Sequence, residues 1–245
     1  MPGTSSTEKD PQTPGVYWRY PNNHKPAFNP VVFNETRLAE QNLISGKAAA
    51  GRGNTFFITL DDHPMVLRHY RRGGLVRRVS SRRYAYTGLS RTRAMLEFDI
   101  LLKMYDMKLP VPKPYACRVI RHGISYEASI VTHRVQGNTL AHQLLSASVS
   151  DQQWENIGLT IARFHSEGIY HADLNAHNIL LSDDGRVSLI DFDRAKLRPL
   201  TTNASSEKWC VANMGRLKRS LDKVATQNVK NGFELIRSSW TSALT

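Results

Sequence analysis

Apolar and polar residues alternate over short runs in the first half of the chain, which is typical of half-buried β-strands. The runs GRGNTFFITL (51–60) and PMVLRHY (64–70) are rich in β-branched and aromatic residues and are linked through DDH. ACRVI (116–120) and YEASIVTHRV (126–135) form a second pair of candidate strands. Between the pairs, TRAMLEFDILLKMYDMKL (92–109) repeats its apolar residues at helical spacing, and three prolines then end the helix. These runs predict a small antiparallel sheet with one helix.

Helical periodicity dominates the second half of the chain. DQQWENIGLTIARFHSEG (151–168) predicts a helix whose last residue, Gly168, is a candidate C-cap. ILL (179–181) and VSLI (187–190) predict two short strands, joined by an Asp-Gly turn that is typical of hairpins. From about residue 205 onward the pattern is helical and basic.

The order of these elements predicts an α+β fold with two lobes. The N-terminal lobe, residues 30–136, holds the antiparallel sheet and one helix, and the C-terminal lobe, residues 137–245, is short and mainly helical. Residues 1–29 are polar and contain several prolines, so we expect a disordered tail there. The rest of the chain, residues 30–245, is expected to form one domain.

Composition places the chain among ordinary globular proteins. Hydrophobic residues make up 40% and charged residues 22% of its 245 positions. It has only two cysteines, Cys117 and Cys210, so no disulfide framework is implied. The N-terminus lacks the apolar segment of a signal peptide, and no run reaches the roughly 18 apolar residues that a membrane-spanning helix needs. We therefore expect a cytoplasmic protein that is soluble or peripheral to a membrane.

The net charge of +12 favours anionic partners, such as nucleic acid, an acidic membrane or a charged small molecule. The charge is also unevenly placed, because nine arginines and no acidic residue occur between Arg68 and Arg93. A face that only keeps a protein in solution usually mixes both signs of charge. The run is therefore a candidate binding surface.

Candidate chemistry is concentrated in IYHADLNAHNILLSDDGRVSLIDFDRAK, residues 169–196. Asn178 follows Asp173 by five residues, and the hairpin brings Asp191 back thirteen residues after Asn178. Oxygen ligands from an amide and a carboxylate suit Mg²⁺, which takes few protein ligands and completes its shell with waters and phosphates. A further carboxylate beside such a metal is placed to accept a proton from an incoming hydroxyl. The alternative is that these residues only cap strands and form turns.

The spacing matches the kinase pattern H-x-D-x-x-x-x-N followed by I-D-F, and thus predicts a two-lobed protein-kinase-like fold. Arg68 then stands where such kinases carry a lysine, and Glu97 is a candidate partner for that cation. An arginine binds phosphate as a fork, yet its presence also leaves weak or absent catalysis open. Further candidates for nucleotide binding are two loop glycines and a hinge whose backbone would bind adenine: Gly51, Gly53, Thr132, His133 and Val135.

Two features argue against a protein substrate. Asn175 stands where Ser/Thr protein kinases carry a lysine, and only about fifty residues follow Asp191. So short a helical lobe has no A-P-E sequence and no room for a peptide platform. A small or lipid-linked alcohol is the better acceptor.

Several stretches sharpen this expectation, namely GRGNTFF, LRHYRRGGL, RYAYTGLSRTRAMLEF, LPVPKPYACRV, HADLNAHNILL and LIDFDR. Together, from about residue 46 to about residue 220, they resemble the 3-deoxy-D-manno-octulosonate (Kdo) kinases of bacterial lipopolysaccharide assembly. The resemblance implies that Asp173 is catalytic and that Asn178 and Asp191 are metal ligands. It also implies ATP and Mg²⁺ as cofactors and transfer of phosphate to the 4-hydroxyl of a Kdo residue on the lipid A precursor. Such enzymes work at the cytoplasmic face of the bacterial inner membrane without a spanning segment.

The basic run suits that acceptor, since Kdo carries a carboxylate and the lipid A precursor carries phosphates. Cations near an anionic lipid surface contribute about 1 kcal/mol each. We expect six arginines to contact the acidic glycolipid or the membrane: Arg71, Arg72, Arg77, Arg78, Arg82 and Arg83.

Three other functions stay open at this point. An atypical RIO-like kinase or ATPase acting in ribosome assembly shares the HADL opening, and a non-enzymatic nucleic-acid-binding protein would also be basic. Against the second, no nucleic-acid motif is recognised, so neither nucleic acid nor an obligate protein partner is expected. A pseudokinase scaffold is the third, because of Arg68. The role of the basic C-terminal segment, with Arg216, Arg219 and Lys223, is undecided from sequence.

Overall fold

The computed structural model describes residues 4–22, 27–47, 55–70, 83–146, 148–201, 203–224 and 229–245, and the chain divides into two units. Unit 1 consists of Met1–Asp106 and Lys113–Arg134, and unit 2 consists of Met107–Pro112 and Val135–Thr245. The predicted α+β class is confirmed, because the first unit is built on an antiparallel sheet and the second is mainly helical. The division near residue 135 lies close to the predicted boundary.

Unit 1 contains one antiparallel sheet with the strand order β1-β2-β7-β8-β5-β4-β3, and β6 pairs with β8 beside this path. The strands are β1 (Ser5–Lys9), β2 (Val16–Pro21), β3 (Ile44–Lys47), β4 (Thr55–Leu60), β5 (His63–His69), β6 (Tyr84–Ala85), β7 (Pro114–His122) and β8 (Ser125–His133). The four strands expected from alternation correspond to β4, β5, β7 and β8. They form the middle of the sheet.

Helix α2 (Arg93–Asp106) is the predicted helix of unit 1. Its apolar positions recur every three or four residues, so Met95, Phe98 and Leu101 lie on one buried face. The helix ends before the predicted limit of residue 109, because Lys108 takes a left-handed backbone with φ 60°. A short second helix, α1 (Glu35–Glu40), begins at Asn34, whose side chain accepts a hydrogen bond from the N–H of Arg37 at 3.1 Å.

The predicted disordered tail at residues 1–29 is wrong for most of its length. Its Val-Tyr-Trp-Arg-Tyr run forms β2, which pairs with β7 from Val16 opposite Ile120 to Arg19 opposite Cys117, and β1 pairs with β2 in turn. Arg19 also donates to both carboxylate oxygens of Asp99 on α2. The surrounding prolines and charged residues made this run look like a tail in the sequence. The run becomes a strand because it pairs with β7, about a hundred residues later in the chain.

Unit 2 contains four helices and short strands among its described residues. They are β9 (Asn138–Thr139), α3 (Leu140–Ser146), α4 (Asp151–Ser166), β10 (Ile169–Tyr170), β11 (Ile179–Leu181), β12 (Val187–Leu189), β13 (Lys196–Leu197), α5 (Lys208–Val224) and α6 (Val229–Ser242). The predicted helix at 151–168 and the predicted strands at 179–181 and 187–190 are all present. In the described parts of the chain, no helix combines the length and the apolarity needed to cross a lipid bilayer.

Helix α4 begins with a capping box, in which Ser150 and Gln153 satisfy each other's backbone N–H groups. It ends at Ser166 with Glu167 as the C-cap, and Gly168 follows with φ 69°; an ideal Cβ on Gly168 would lie 2.3 Å from the carbonyl oxygen of Arg198. The predicted C-cap at Gly168 is therefore wrong by one residue, although Gly168 takes the left-handed conformation that favours glycine just after a helix. Helix α4 packs closely on α6, because an ideal Cβ on Gly158 would lie 2.3 Å from the carbonyl oxygen of Ile236.

The β11–β12 hairpin is in the register Ile179 opposite Leu189 and Leu181 opposite Val187. Its turn closes with a hydrogen bond from Ser182 N–H to Arg186 O at 3.0 Å, and Gly185 takes φ 79°. The Asp-Gly turn predicted here is confirmed. Because the hairpin is short and tight, residues just before β11 and just after β12 meet at its open end.

Candidate active site

The loop of residues 171–178, between β10 and β11, presents Asp173 to solvent. The Asp173 carboxylate is 60% exposed, while the backbone of the same residue is held on both sides. Its N–H donates to Nδ1 of His171 at 3.1 Å, and its carbonyl accepts from Nδ2 of Asn178 at 2.9 Å. The exposed carboxylate is thus attached to a backbone that two hydrogen bonds hold in place.

His171 braces this loop. Since its Nδ1 accepts from the Asp173 N–H, the ring proton lies on Nε2, which donates to the carbonyl of Ile190 at 3.0 Å. The ring is buried against Phe192 with centroids 4.7 Å apart. Burial lowers the pKa of His171, so the imidazole is neutral and keeps this pair of bonds.

Asn178 and Asp191 lie at the open end of the hairpin. The N–H of Ile190 donates to the carbonyl of Asn178 at 3.0 Å, which places Asp191 one residue beyond the backbone of Asn178. Asp191 has φ 62°, a left-handed conformation that turns the chain directly after the strand. Phe192 then anchors the turn, since it is buried and stacks on Phe164 with centroids 5.7 Å apart. The structure therefore places Asn178 in contact with Asp173 and with the residue before Asp191, and the roles of the three side chains stay a prediction.

The donor set at this point fits magnesium. The amide nitrogen of Asn178 donates to the carbonyl of Asp173, which leaves its side-chain oxygen, together with the carboxylate of Asp191, as candidate ligand atoms. Within the described ranges, the chain has no group of three or more His, Cys, Asp or Glu residues that could hold a metal ion. A site with two protein oxygens is the kind that Mg²⁺ completes with waters and substrate phosphates.

Helix α5 contacts the loop at three points that the sequence did not reveal. The amide of Asn213 donates to the carbonyl of His171 at 2.9 Å, and its oxygen accepts from the His171 N–H at 3.3 Å. The Ser220 hydroxyl oxygen accepts from the N–H of Ala176 at 3.1 Å. Between them, Nη1 of Arg216 lies 3.8 Å from Oδ1 of Asp173. The basic helix whose role was undecided from sequence therefore lies beside the loop.

A buried polar chain continues from Asn213 to the last helix. Nε2 of His165 on α4 lies 3.4 Å from Oδ1 of Asn213, and its Nδ1 accepts from the indole N–H of Trp240 on α6 at 2.9 Å. His165 must therefore be neutral, and burial lowers its pKa to about 4. Three helices are tied to the loop through these side chains.

Unit 1 contains the predicted pair of Arg68 and Glu97. Arg68 on β5 donates through Nη2 to both carboxylate oxygens of Glu97 on α2, and the hydroxyl of Tyr70 donates to the same carboxylate. Glu97 is only 4% exposed, whereas the side chain of Arg68 is 24% exposed. Burial and the carboxylate of Glu97 raise the pKa of Tyr70 well above its ordinary value. The pairing is confirmed, and a role in nucleotide binding stays a prediction.

The predicted hinge residues lie partly inside the sheet. Thr132 and His133 belong to β8, and the N–H of His133 donates to the carbonyl of Lys113 at 2.9 Å. The N–H of Arg134 donates to the carbonyl of Pro64 at 2.9 Å. Val135 is the first residue of unit 2 after this strand. The N–H groups of His133 and Arg134 are thus used in hydrogen bonds within unit 1. We therefore expect any backbone contact with adenine to come from Val135 or the residues after it.

Other predicted site residues fall outside the part of the chain that the structure describes. They are Gly51, Gly53, Arg71, Arg72, Arg77, Arg78 and Arg82. Arg83 is described, and its Nε lies 3.7 Å from Oε1 of Glu127 in an exposed ion pair. Such a pair contributes little to stability.

Comparison with known proteins gives one consistent result. The model of the lipopolysaccharide kinase (Kdo/WaaP) family matches residues 37–242. A 3-deoxy-D-manno-octulosonic acid kinase of Xanthomonas campestris pv. campestris (strain B100) is 41% identical over 231 residues, which cover 88% of this chain and 91% of the relative. The proteins of the same name from Stenotrophomonas maltophilia (strain R551-3) and Xylella fastidiosa (strain M12) are 39% identical over 230 residues and 40% identical over 197 residues. These two alignments cover 87% and 79% of this chain, and 90% and 77% of the respective relatives.

Proposed function

The chain belongs to the lipopolysaccharide kinase (Kdo/WaaP) family, and from this membership and the geometry of the 171–178 loop we propose that it is a Kdo kinase. It would transfer the terminal phosphate of ATP to the 4-hydroxyl of a Kdo residue on the lipid A precursor. The observation that carries the proposal is the contact of Asn178 with Asp173 and with the residue before Asp191, at the open end of the β11–β12 hairpin.

Asp173 would act as the general base. Its carboxylate is exposed, so an acceptor hydroxyl can reach it, and the two bonds to its backbone fix its position. A positioned base of this kind contributes roughly 10²–10⁴-fold to the rate. His171 positions Asp173 and does not itself exchange the proton, because both of its ring nitrogens are already bonded.

Asn178 and Asp191 would hold Mg²⁺, which when bound neutralises charge on the nucleotide phosphates. Contacts within unit 2 position both residues without a ligand. Asn178 is tied to the backbone of Asp173, and Asp191 is fixed by the turn that Phe192 anchors. Positioning of this kind supplies much of the rate in phosphoryl transfer.

Arg68 would bind nucleotide phosphates in place of the lysine of other kinases. Its guanidinium keeps its charge at any physiological pH, and Glu97 holds the group in a defined orientation. Gly51 and Gly53 would let a loop approach the phosphates closely, and Val135 would offer backbone groups to the adenine.

The acceptor is proposed to be the Kdo-containing precursor because the chain is strongly basic and the related kinases are named for Kdo. Arg71, Arg72, Arg77, Arg78, Arg82 and Arg83 would face the glycolipid and the anionic surface of the inner membrane. The protein would work there from the cytoplasmic side.

The decisive experiment is incubation of the purified protein with Mg-ATP and Kdo-lipid A precursor, followed by mass spectrometry. We expect the acceptor to gain the mass of one phosphate, and the position of the phosphate to be the 4-hydroxyl. Asp173→Ala is expected to reduce transfer by at least about 10²-fold while its thermal unfolding is unchanged, because the side chain is exposed.

Asp183→Ala provides the matched control. It removes an exposed carboxylate from the turn of the same hairpin, away from its open end, and should keep full activity. Binding of ATP without transfer to any Kdo acceptor would replace the proposal with a pseudokinase. Stimulation of ATP hydrolysis by ribosomal RNA, with no glycolipid phosphorylation, would favour the RIO-like alternative, for which the comparisons offer no support.

A further inference from the structure

Arg216 is the cation that the structure places beside Asp173. Its Nη1 lies 3.8 Å from Oδ1 of Asp173, and the two side chains are 43% and 60% exposed. An exposed pair at this distance contributes little to folding. The contact therefore has no evident structural purpose, and both groups are accessible to a ligand.

The position of Arg216 is nevertheless well defined. Asn213, Arg216 and Ser220 recur at helical spacing, so they share one face of α5. Asn213 is bonded to both backbone groups of His171, and Ser220 is bonded to the backbone of Ala176. Because both neighbours on this face are fixed to the loop, Arg216 is held opposite the residue between them, Asp173.

The loop itself contains no lysine or arginine. Asn175 stands where protein kinases have a lysine, and its side chain is used within the loop. Its Nδ2 donates to the carbonyl of Asp173 at 3.0 Å, and its Oδ1 accepts from the N–H of His177 at 2.8 Å. A guanidinium or ammonium group beside Asp173 therefore comes from another element, and Arg216 of α5 is in that position.

We propose that Arg216 is a catalytic residue that binds the phosphoryl group during its transfer, a role that rests on the proposed function. In that step the acceptor oxygen bonds to the terminal phosphorus of ATP while the bond from phosphorus to the bridging oxygen of ADP breaks. The acceptor proton passes to the Asp173 carboxylate. Negative charge spreads over the three oxygens of the phosphoryl group, and a guanidinium near the base is placed to donate hydrogen bonds to them.

The test is steady-state kinetics of Arg216→Gln with Mg-ATP and Kdo-lipid A precursor. Loss of one such donor typically costs about 10²–10³-fold in kcat. We expect a loss of this size with little change in the KM for the acceptor, partial activity in Arg216→Lys, and rescue of an Arg216→Ala variant by added guanidinium at concentrations below those that unfold it. Rescue is a readout that a merely structural residue would not give.

Arg219→Gln is the matched control. Arg219 is an exposed arginine on the same helix, three residues further along the chain, and its loss should leave kcat unchanged. If Arg216→Gln keeps the wild-type kcat, or raises only the acceptor KM, the assignment is wrong.

A failure of the proposed function is distinguishable from a failure of this inference. If the wild type does not phosphorylate the glycolipid, the proposed acceptor is wrong. The role of Arg216 is then tested by ATP hydrolysis, in which the phosphoryl group passes from ATP to water. Hydrolysis slowed in Arg216→Gln and rescued by guanidinium supports the role. Hydrolysis equal to that of the wild type overturns it.

Discussion

Two buried histidines of unit 2 have bonds that define their protonation. His171 accepts on Nδ1 and donates from Nε2, and His165 accepts the indole proton of Trp240. An imidazolium has no lone pair left to accept with, so adding a proton breaks a bond in either ring. Neutral rings are thus a condition for the backbone geometry of Asp173.

The unfolding free energy is expected to fall with decreasing pH because of His165. Burial lowers its pKa from 6.5 to about 4. Between these two pH values, His165 is therefore protonated in the unfolded chain and neutral in the folded chain. The contribution of the neutral His165 to the unfolding free energy is fully present above pH 6.5. It is lost as the pH falls toward 4, by up to about 1.4 kcal/mol per pH unit. Urea unfolding across this range measures the slope.

His165→Gln isolates the contribution of this ring. Glutamine retains a carbonyl oxygen for the indole N–H of Trp240 and does not titrate, so the variant should show a shallower dependence on pH. The slope is the quantity to compare, since the variant is also expected to be less stable at every pH. Equal slopes in both proteins would show that His165 does not titrate on unfolding.

Glu97 of unit 1 is expected to matter for stability as well as for activity. Its carboxylate is 4% exposed and accepts from both Arg68 and Tyr70. Glu97→Ala leaves the buried hydroxyl of Tyr70 without this acceptor, at a cost of about 1–3 kcal/mol in unfolding free energy. Urea unfolding monitors that cost, and nucleotide titration monitors the loss of a fixed orientation for Arg68.

Asp99→Ala is the control for Glu97→Ala. Asp99 lies on the same helix and pairs with Arg19, but its side chain is 46% exposed, so its loss should cost less than about 1 kcal/mol. Similar losses in the two variants would mean that burial of the Glu97 carboxylate is unimportant.

At the scale of helices and strands, local patterns predicted most elements, and distant partners decided the rest. The β11–β12 hairpin, the left-handed turn at Gly168 and helix α2 depend on neighbours within a few turns of chain, so spacing and turn residues were sufficient. Helix α5 was predicted as helix, but its contacts to the 171–178 loop depend on tertiary packing. No periodicity in the sequence distinguishes Arg216, which lies beside Asp173, from the exposed Arg219.

The crossing of α4 and α6 depends on glycine at position 158. An ideal Cβ there would lie 2.1 Å from Oγ of Ser239 and 2.3 Å from the carbonyl oxygen of Ile236, so the helices cannot keep their distance if a methyl group is added. We expect Gly158→Ala to lower the unfolding free energy by about 1–3 kcal/mol through overpacking, although alanine is the better helix former. Thermal unfolding provides the measurement.

Gly215→Ala makes the same chemical change where space is available. An ideal Cβ at this position on α5 would meet only Nη1 of Arg219, at 3.5 Å. Here the helix propensity should dominate and raise stability by up to about 1 kcal/mol. The two substitutions should therefore have opposite signs, and equal signs would refute the packing explanation.

At the scale of the whole molecule, the N-terminal segment belongs to the fold. Deletion of residues 1–22 removes β1 and β2 and leaves β7 as an edge strand of the sheet. The deletion also removes Arg19, and with it the ion pair between Arg19 and Asp99. We expect the truncated protein to unfold at lower temperature and to aggregate more readily, whereas loss of a disordered tail would change neither property. Calorimetry and light scattering distinguish the two outcomes.

Charge is a property of the whole chain that sequence alone predicts well. The value of +12 follows from counting, and it indicates anionic partners without any structure. Where the charge acts is a different matter. Most of the basic run falls outside the described residues, so its contact with a glycolipid stays a prediction, while Arg216 acquires a place only through the fold.

The hydrogen bonds that hold the 171–178 loop have a consequence for folding during translation. Asn213 and Ser220 on α5 and Trp240 on α6 all follow the loop in the chain. During translation the ribosome releases the loop before the helices that hold it. The loop would therefore reach its final geometry only after α5 and α6 have been synthesised, and a chain truncated before α6 would lack the Trp240 contact.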